Sequence, residues 1–338
     1  MKTIFVVDDN DTNLLAAKNA LDGTYKTFAL PSAARMFKLV EKITPDLILL
    51  DIEMPEMSGF DAITVLKSDN RLKDIPVIFL TLKNDEETEI QGFKLGAIDF
   101  INKPFSAPVL IRRLETHIDI NKIVKQSQQT IRDLHNATIS VIADMVENRD
   151  HITGGHIERT QAYLKILLDE LVISGIYAKE IKHWDTSLLL PSAQLHDVGK
   201  IIISDLILNK PGKLTDEEFF LMKEHSAEGE RIVKAISAKV KDDGFLTHAA
   251  AFAGYHHEKW DGSGYPYAIK GTEIPLEGRL MAIADVYDAL VSERPYKKPF
   301  SHEKAVEIIK EGSGSHFEPA LVEIFAKVSD DFRTAIIR

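Results

Sequence analysis

Five short apolar runs, separated by amphipathic segments, occupy the first 105 residues. The runs fall at residues 4–7, 25–30, 47–50, 77–80 and 100–101. Strands that are apolar almost throughout must be covered on both faces, and strands joined by helices pair in parallel. The pattern therefore predicts an α/β domain with a doubly wound, five-stranded parallel sheet of the flavodoxin-like kind.

A single long helix is predicted from residue 107 to about residue 148, because the segment has no proline or glycine beyond its first turn. Its apolar positions follow an imperfect heptad pattern and are Leu110, Leu114, Ile118, Val124, Ile131, Leu134, Val141 and Met145. Such a helix either connects two copies in a homodimer or packs on its own domains, and both interpretations stay open.

Strand signals end after residue 150, where helical patterns are interrupted by glycine-containing breaks. A chain of 338 residues also exceeds what one core usually covers. We therefore predict a first domain over residues 1–120, a helical connector over 107–148 that overlaps its last helix, and an all-α domain over 140–338.

The composition narrows the possible partners. With 41 basic and 52 acidic residues the formal charge is -11, which disfavours binding to nucleic acid and to anionic membranes. Cysteine is absent, so a bound metal must use nitrogen and oxygen ligands. No apolar run approaches the ~18 residues of a membrane span, and no signal peptide is evident. We expect a cytoplasmic protein without membrane insertion.

Polar residues follow the ends of the predicted strands. They are Asp8 and Asp9, Asp51, Thr81, and Lys103. Because the carboxyl ends of parallel strands share one edge, these side chains should converge. Three carboxylates in one place require a cation such as Mg²⁺, while lysine and threonine suit phosphoryl oxygens. The set predicts that Asp51 is phosphorylated; helix capping would explain single aspartates but not the whole set.

The motifs VVDDN, LLDIEMPEMSGFD, FLT and DFINKPF occur in this order. Over residues 1 to about 120 the chain therefore resembles a response-regulator receiver domain. The resemblance implies Mg²⁺ bound by Asp8, Asp9, Asp51 and the backbone carbonyl of Glu53. It also implies that Thr81 and Phe100 change position on phosphorylation, with Lys103 contacting the phosphoryl group, and that a sensor histidine kinase is the phosphoryl donor.

The second half contains a set of histidines and aspartates: His156, His196, Asp197, His225, His256, His257 and Asp285. A single histidine is more often a core or surface residue than a ligand. His196 and Asp197, however, lie in the apolar segment LLLPSAQLHDVGK, where a buried polar pair needs partners that a metal supplies. Nitrogen and oxygen donors suit Fe, Mn or another first-row divalent ion, and a carboxylate that bridges two ions favours phosphoester hydrolysis.

Two further residues are candidates because of their helical spacing. Lys200 lies four residues after His196, so one helical turn would bring its ammonium to a phosphate beside the metals. Asp288 lies three residues after Asp285 and could orient Lys200 or a metal ligand. Otherwise Lys200 is a solvated surface lysine and Asp288 half of an i,i+3 pair.

The second half also contains ENRDHITGGHIERT, LHDVGKI, LILNKPGKLTDEEFFLMKEHSAEG, HHEKWDGSGYP, KGTEIPLEGRLMAIADVYDAL and ERPY. Over about residues 140 to 325 it resembles the HD-GYP branch of the HD superfamily of metal-dependent phosphohydrolases. The resemblance implies that cyclic di-GMP is cut to linear pGpG and/or GMP at two metals. The implied metal ligands are His156, His196, Asp197, His225, His256, His257 and Asp285.

The same resemblance assigns roles around the metals. Asp197 and Lys200 are implied in catalysis, and Lys200 and Arg294 in contacts with the substrate phosphates. The substrate side is implied to include Gly264, Tyr265, Pro266 and Asp288.

Two positions depart from the family pattern. Ile152 stands where some members have a carboxylate for a third metal, which favours two metals, although Glu147 or His151 could change that count. Ala268 stands where many relatives have glycine, which should affect loop geometry more than chemistry.

Together the two halves predict a response regulator whose cyclic di-GMP phosphodiesterase is controlled by phosphorylation of Asp51. The alternatives are a catalytically silent signalling scaffold and a phosphodiesterase for another cyclic dinucleotide.

Overall fold

The computed structural model describes residues 1–82, 86–149, 155–241, 244–293 and 298–335. The chain divides into two compact units, Met1–Ile131 and Arg132–Arg338. Three residues singled out by sequence, His151, Ile152 and Arg294, lie outside the described ranges.

The first unit is built on a parallel sheet. Its strands are β1 (Thr3–Val7), β2 (Lys26–Leu30), β3 (Leu47–Asp51), β4 (Val77–Thr81) and β5 (Asp99–Asn102). Their order is β2-β1-β3-β4-β5, and each neighbouring pair is parallel. The predicted doubly wound sheet is confirmed, and the strand ends differ from the predicted ones by one residue.

Helices cover both faces of this sheet. They are α1 (Asp11–Leu21), α2 (Ala33–Val40), α3 (Gly59–Ser68), α4 (Glu86–Lys94) and α5 (Ala107–Glu147). Residues of α1 and α5 pack with Ile4 and Val6 on one face, while residues of α2 and α3 pack with Phe5 and Val7 on the other. Alternate residues of one strand thus enter two different cores, as strand geometry requires.

The long helix α5 covers nearly the residues predicted for it and has two different parts. Leu110, Leu114 and Ile118 are buried in the core of the first unit. The remaining apolar positions of the pattern are between 46% and 67% exposed; they are Val124, Ile131, Leu134, Val141 and Met145. Packing on its own domain therefore accounts for the first three positions only.

Among its described residues, the regular secondary structure of the second unit is helical, as predicted, apart from one isolated bridge between Ser313 and Phe317. Its α-helices are α6 (His156–Ser174), α7 (Ala178–Ile181), α8 (Thr186–Ser192), α9 (Asp205–Leu208), α10 (Asp216–Ser237), α11 (Phe245–Tyr255), α12 (Leu276–Val291), α13 (His302–Glu311) and α14 (Pro319–Ala335). Within the described ranges, no helix combines the length and apolar content needed to span a bilayer.

An aromatic core fixes the helices that carry the candidate ligands. Tyr163 of α6 stacks on Phe332 of α14 with ring centroids 4.7 Å apart. Tyr287 of α12 packs edge-on against Tyr163 at 5.1 Å. All three side chains are fully buried, so α6 and α12 cannot slide without opening this core.

The segment LLLPSAQLHDVGK departs from the helix expected for it. Helix α8 ends at Ser192, one residue beyond Pro191, and 3₁₀ turns follow at Ala193–Leu195 and Val198–Ile202. His196 and Asp197 occupy the break between these turns. Pro191, which lacks a backbone donor, lies in the last turn of α8 before this irregular segment.

Candidate metal centre

The strand-end residues of the first unit meet in one acidic site. Ligand oxygens of Asp8, Asp9 and Asp51 lie within 4.8 Å of one another. The Nζ atom of Lys103 is 2.7 Å from Asp8 Oδ2 and 2.8 Å from Asp51 Oδ1. This ammonium balances part of the negative charge, and the three carboxylates form a donor set that suits Mg²⁺.

Burial raises the pKa of Asp51, and the hydrogen bond from Lys103 opposes that rise. The cavity beside Asp51 is also lined by Glu53 and Thr81, while Phe100 is buried against Phe79 at a centroid distance of 5.4 Å. These placements agree with the expected convergence at the sheet edge.

Sequence reasoning missed the residues that orient Asp8. Asn13 donates from Nδ2 to Asp8 Oδ1 over 3.0 Å, and the backbone N–H of Asn10 donates to the same oxygen over 2.9 Å. The side chain of Asn10 also caps α1. The asparagines in DDNDTN were the available signal, since this residue type both caps helices and donates hydrogen bonds.

Among its described residues, the second unit contains two groups of potential metal ligands. One contains Asp197, His225, His256 and His257, and the other contains His156, His196 and Asp285. The residues come from α6, the break around His196, α10, the end of α11 and α12. The structure therefore brings together all seven ligands expected from the sequence.

The carboxylate of Asp197 lies between the two groups. Its Oδ1 atom is 3.4 Å from Nε2 of His225 and 3.7 Å from Nε2 of His256. Its Oδ2 atom is 3.5 Å from Nε2 of His196. Each oxygen thus faces one group, which is the arrangement that a bridging carboxylate requires.

Backbone carbonyls fix the orientation of three imidazoles. The Nδ1 atom of His196 lies 2.9 Å from the carbonyl oxygen of Ala193. The Nδ1 atom of His225 lies 2.7 Å from that of Met222, and the Nδ1 atom of His256 lies 2.9 Å from that of Phe252. A carbonyl can only accept, so each Nδ1 carries the proton and each neutral ring presents an Nε2 lone pair. These lone pairs point into the ligand groups.

A carboxylate fixes His156 in the same way. Asp288 Oδ2 is 2.8 Å from Nδ1 of His156, and Arg159 Nε donates to Asp288 Oδ1 over 2.7 Å. Asp288 thus orients a candidate ligand, while Lys200 pairs with Asp197. Arg159 was missed by sequence reasoning, although its position three residues after His156 on α6 was a signal.

The facing nitrogens show that a cation fits. The Nε2 atoms of His156 and His196 are 3.3 Å apart, and those of His225 and His256 are 3.4 Å apart. In His225 and His256 both Nδ1 atoms carry the proton, so the two Nε2 lone pairs repel one another unless a cation lies among them. Among the described residues, the buried Oδ1 atom of Asp197 accepts no hydrogen bond, which is a second sign of a missing positive partner.

Burial keeps most of these imidazoles neutral. It lowers the pKa of His225 and of His256 to about 4, and it also lowers the pKa of His196 and His257. At His156 burial also acts to lower the pKa. The hydrogen bond that Nδ1 donates to Asp288 and the charges of three nearby aspartates together outweigh burial, so the pKa of His156 is raised. Neutral imidazole is the form that binds a metal ion.

Lys200 reaches the site, but not along an α-helix as expected. It lies in a 3₁₀ turn, and its Nζ atom is 2.7 Å from Asp197 Oδ2, an i,i+3 pair. Lys200 therefore adds a fixed positive charge beside the carboxylate between the two ligand groups, and the alternative of a solvated surface lysine is wrong.

Gly199 allows this segment to approach α10. A Cβ atom at this position would lie 1.9 Å from the carbonyl oxygen of His225 and 2.5 Å from the amide nitrogen of Gly229. Only glycine avoids both contacts, so the segment that contains His196 and Asp197 (the HD segment) can lie directly beside His225.

The loop that contains the GYP sequence packs against the ligand histidines. The ring of Tyr265 lies 4.7 Å from that of His257, and Pro266 follows it in a cis peptide bond. A Cβ at Gly264 would lie 2.3 Å from the amide nitrogen of Lys259. Packing within the loop therefore requires glycine at this position.

Glu258 anchors the far end of the same loop. Its Oε1 atom accepts hydrogen bonds from the backbone N–H groups of Tyr267, at 2.7 Å, and Ala268, at 3.1 Å. Ala268 has φ 54°, a left-handed conformation that favours glycine. The loop therefore holds an alanine in a conformation that suits the glycine of many relatives, and the effect of this departure stays a prediction.

Glu147 lies beside His156 at the end of α5. Its Oε1 atom accepts a hydrogen bond from the backbone N–H of His156 over 3.1 Å, and burial raises the pKa of its carboxyl group. In this conformation Glu147 supports the first turn of α6. Glu147 does not belong to either group of ligand atoms found among the described residues.

Comparison with known proteins adds independent information. A family model described as HD domain matches residues 140–321, and one described as response regulator receiver domain matches residues 4–115. A probable cyclic di-GMP phosphodiesterase of Vibrio cholerae serotype O1 is 40% identical over 98% of this chain and 78% of that protein.

Two further relatives differ in their named activities. The cyclic di-GMP phosphodiesterase response regulator RpfG of Xanthomonas campestris pv. campestris is 33% identical over 82% of this chain and 74% of its own length. A 3'3'-cGAMP-specific phosphodiesterase 2 of Vibrio cholerae is 38% identical over 60% of this chain and 36% of its own length.

Proposed function

The chain belongs to the HD-domain family of metal-dependent hydrolases and carries a response-regulator receiver domain, and from this premise we propose that it hydrolyses the phosphodiester bonds of cyclic di-GMP. The observation that carries the proposal is the position of Asp197, whose two carboxylate oxygens face two separate groups of ligand atoms. Two relatives that are matched over most of their own length are named cyclic di-GMP phosphodiesterases, which supports this substrate.

Each ligand group would hold one divalent ion. One ion would bind His156, His196 and Asp285, the other would bind His225, His256 and His257, and Asp197 would bridge them. Nitrogen-rich donors without sulfur favour Fe or Mn. Two such ions, when bound, supply Lewis acidity for phosphoester hydrolysis.

The protein's own side chains would orient the substrate. Lys200 holds its ammonium beside Asp197, where it can donate a hydrogen bond to an oxygen of the scissile phosphate. Gly264, Tyr265 and Pro266 form the adjacent wall, and we propose Arg294 as a second phosphate contact. Asp288 acts through His156, as its hydrogen bond indicates. The products would be linear pGpG and/or GMP.

A direct assay tests this function. Purified full-length protein, supplied anaerobically with Fe(II) or Mn(II), should convert cyclic di-GMP to pGpG or GMP, and chelation should stop the reaction. Chromatography with mass detection identifies the product. If no metal-dependent loss of cyclic di-GMP occurs, the proposal is wrong and the alternative of a catalytically silent scaffold gains support.

A second substrate is supported by the relative that is named specific for 3'3'-cGAMP. The ligand groups contact phosphates and so do not distinguish the bases of two cyclic dinucleotides. Comparing kcat/KM for cyclic di-GMP and 3'3'-cGAMP in one preparation decides between them. A higher value for 3'3'-cGAMP would replace cyclic di-GMP as the proposed substrate.

We propose that the first unit controls this activity through phosphorylation of Asp51 by a sensor histidine kinase. Lys103 and Thr81 would contact the phosphoryl group, Mg²⁺ would bind Asp8, Asp9, Asp51 and the Glu53 carbonyl, and Phe100 would change position. Acetyl phosphate should label wild-type protein and change its turnover, whereas Asp51→Asn should show neither effect. Labelling of Asp51→Asn would contradict the assignment.

We also propose that α5 pairs with α5 of a second copy. Val124 and Ile131, and likewise Leu134 and Val141, are seven residues apart, as at the a and d positions of a coiled coil. These side chains are exposed, and an identical helix would cover them. Light scattering should give a dimer mass for wild type and for Asn136→Glu, which lies outside the seam, and a monomer mass for Leu134→Glu. Equal masses for both variants would contradict the seam.

A further inference from the structure

A lysine beside the candidate metal centre is held by two aromatic rings. The Nζ atom of Lys223 lies over the ring of Phe219 at 4.6 Å from its centroid and over the ring of Tyr265 at 5.5 Å. Phe219 and Lys223 are four residues apart on α10 and so share one face of that helix. The negative faces of the two rings attract the ammonium and limit its motion.

This ammonium lies next to the ligand histidines. Tyr265 contacts Lys223 and also approaches the ring of His257, with centroids 4.7 Å apart. Its ring also lies 6.4 Å from that of His225. The ring of Tyr265 is thus a neighbour both of Lys223 and of one group of candidate metal ligands.

The positive charge of Lys223 is not neutralised within the described part of the chain. No described carboxylate lies within 4.0 Å of its Nζ atom, whereas Glu218 on the same helix pairs with Lys210. The chain as a whole carries a formal charge of -11, which repels an anionic substrate. A fixed, unpaired cation beside the site is therefore suited to bind an anion.

We infer that Lys223 binds the phosphate of the cyclic dinucleotide that is not being cut. This inference rests on the proposed function and deepens it. A cyclic dinucleotide carries two phosphodiesters, and the ligand groups with Lys200 address one of them. The second keeps its negative charge throughout the first cleavage and needs a separate cation. Phe219 acts as a positioning residue, because its ring holds the ammonium in place.

The test compares two substrates. Cyclic di-GMP has two phosphodiesters, whereas bis(p-nitrophenyl) phosphate has one and requires only the metals and Lys200. The variants are Lys223→Met, which keeps the apolar stem, Lys223→Arg, which keeps the charge, and Phe219→Leu, which removes the ring. Lys165→Met is the matched control, because the ammonium of Lys165 pairs with Asp169 on the exposed face of α6.

For cyclic di-GMP, Lys223→Met should raise KM about tenfold with little change in kcat, as expected for the loss of one charge-assisted contact. Phe219→Leu should raise KM less, and Lys223→Arg should restore most of the affinity. Hydrolysis of bis(p-nitrophenyl) phosphate and metal content should stay at wild-type values in all variants, and Lys165→Met should match wild type throughout.

Three outcomes would overturn the inference. An unchanged KM for cyclic di-GMP in Lys223→Met would show that the ammonium binds no substrate phosphate. A parallel loss of both activities together with metal would show that Lys223 only supports His225. If wild-type protein hydrolyses bis(p-nitrophenyl) phosphate but not cyclic di-GMP, the proposed substrate is wrong. The inferred role of Lys223 is then wrong as well.

Discussion

The Nε2 atoms of His156 and His196 face each other at 3.3 Å, and both rings donate through Nδ1 to an acceptor on the other side. Two potential metal-binding nitrogens are therefore held together in a buried place. The protein maintains this arrangement because its helices are fixed by a separate aromatic core. A divalent cation bound among these nitrogens would compensate for the cost of burying polar groups away from water.

Metal binding should consequently stabilise the second unit. With free Mn(II) at about a thousand times Kd, linkage predicts about 4 kcal/mol of additional unfolding free energy. Both tryptophans, Trp184 and Trp260, lie in this unit, so their fluorescence reports its unfolding. Denaturant curves with Mn(II) and with EDTA should differ accordingly. Equal midpoints under the two conditions would exclude a metal that is bound by the folded unit.

Replacing Asp197 by alanine should abolish turnover while leaving phosphorylation of the first unit intact. Asp197 is the residue that faces both ligand groups, so its loss should remove several kcal/mol of transition-state stabilisation, on the order of a thousandfold in kcat. Turnover of cyclic di-GMP and labelling by acetyl phosphate are the two measurements. Asp330→Ala is the control, because its side chain is 99% exposed. Persistent turnover in Asp197→Ala would mean that the bridging role is wrong.

Asp288→Asn should weaken metal binding without removing a ligand. The carboxylate holds His156 through Nδ1 and is itself held by Arg159. Loss of such an orienting partner typically costs about 10- to 100-fold in metal affinity or activity. Metal titration followed by kcat measurement at saturating metal separates affinity from chemistry. Asp169→Asn, which breaks an exposed pair with Lys165, should leave both quantities unchanged.

The outline of both units could be predicted from the sequence because it depends on local patterns. Apolar runs marked β1 to β5 within one residue, and strand ends placed Asp8, Asp51 and Lys103 together, since parallel sheets align their carboxyl ends. The assignment of seven candidate metal ligands followed from a family resemblance, as spacing alone could not join residues as distant as His156 and Asp285.

The supporting contacts could not be predicted because they join distant parts of the chain. The partner of Asp288 is 132 residues away, and its choice of His156 depends on the packing of α6 against α12. The 3₁₀ turns around His196 were also missed, since helix propensity does not register how tightly Gly199 must approach α10. Lys223 was overlooked because its two aromatic neighbours come from α10 and from a loop some forty residues later.

The metal-free protein should lose stability as the pH falls. His225 and His256 have a pKa of about 4 in the fold because of burial, against an ordinary value near 6.5. Between these values the unfolded chain binds more protons than the folded one, so unfolding becomes easier as pH falls from about 6.5 to 4 and levels off above 6.5.

His156 works in the opposite direction, since its raised pKa stabilises the fold at low pH and that contribution is lost as pH rises. The lowered pKa values of His196 and His257 add to those of His225 and His256, so the falling trend should dominate. Tryptophan-monitored denaturation in EDTA at pH 5.0 and 7.5 measures the difference. Higher stability at pH 5.0 would contradict the assignment of these imidazoles as buried and neutral.

Gly199→Ala should move Asp197 away from His225. The added Cβ would lie 1.9 Å from the carbonyl oxygen of His225, and backbone atoms cannot yield as a flexible side chain can. The HD segment must then move away from α10, which lengthens the 3.4 Å approach between Asp197 Oδ1 and His225 Nε2. Overpacking of this kind costs about 1–3 kcal/mol of unfolding free energy. Metal analysis should show a lower metal content per chain, with turnover falling in parallel.

Gly314→Ala is the control, because its added Cβ meets nothing within 4 Å and its φ of 78° imposes only local backbone strain. If Gly199→Ala keeps wild-type metal content and turnover, close contact between this segment and α10 is not what assembles the centre.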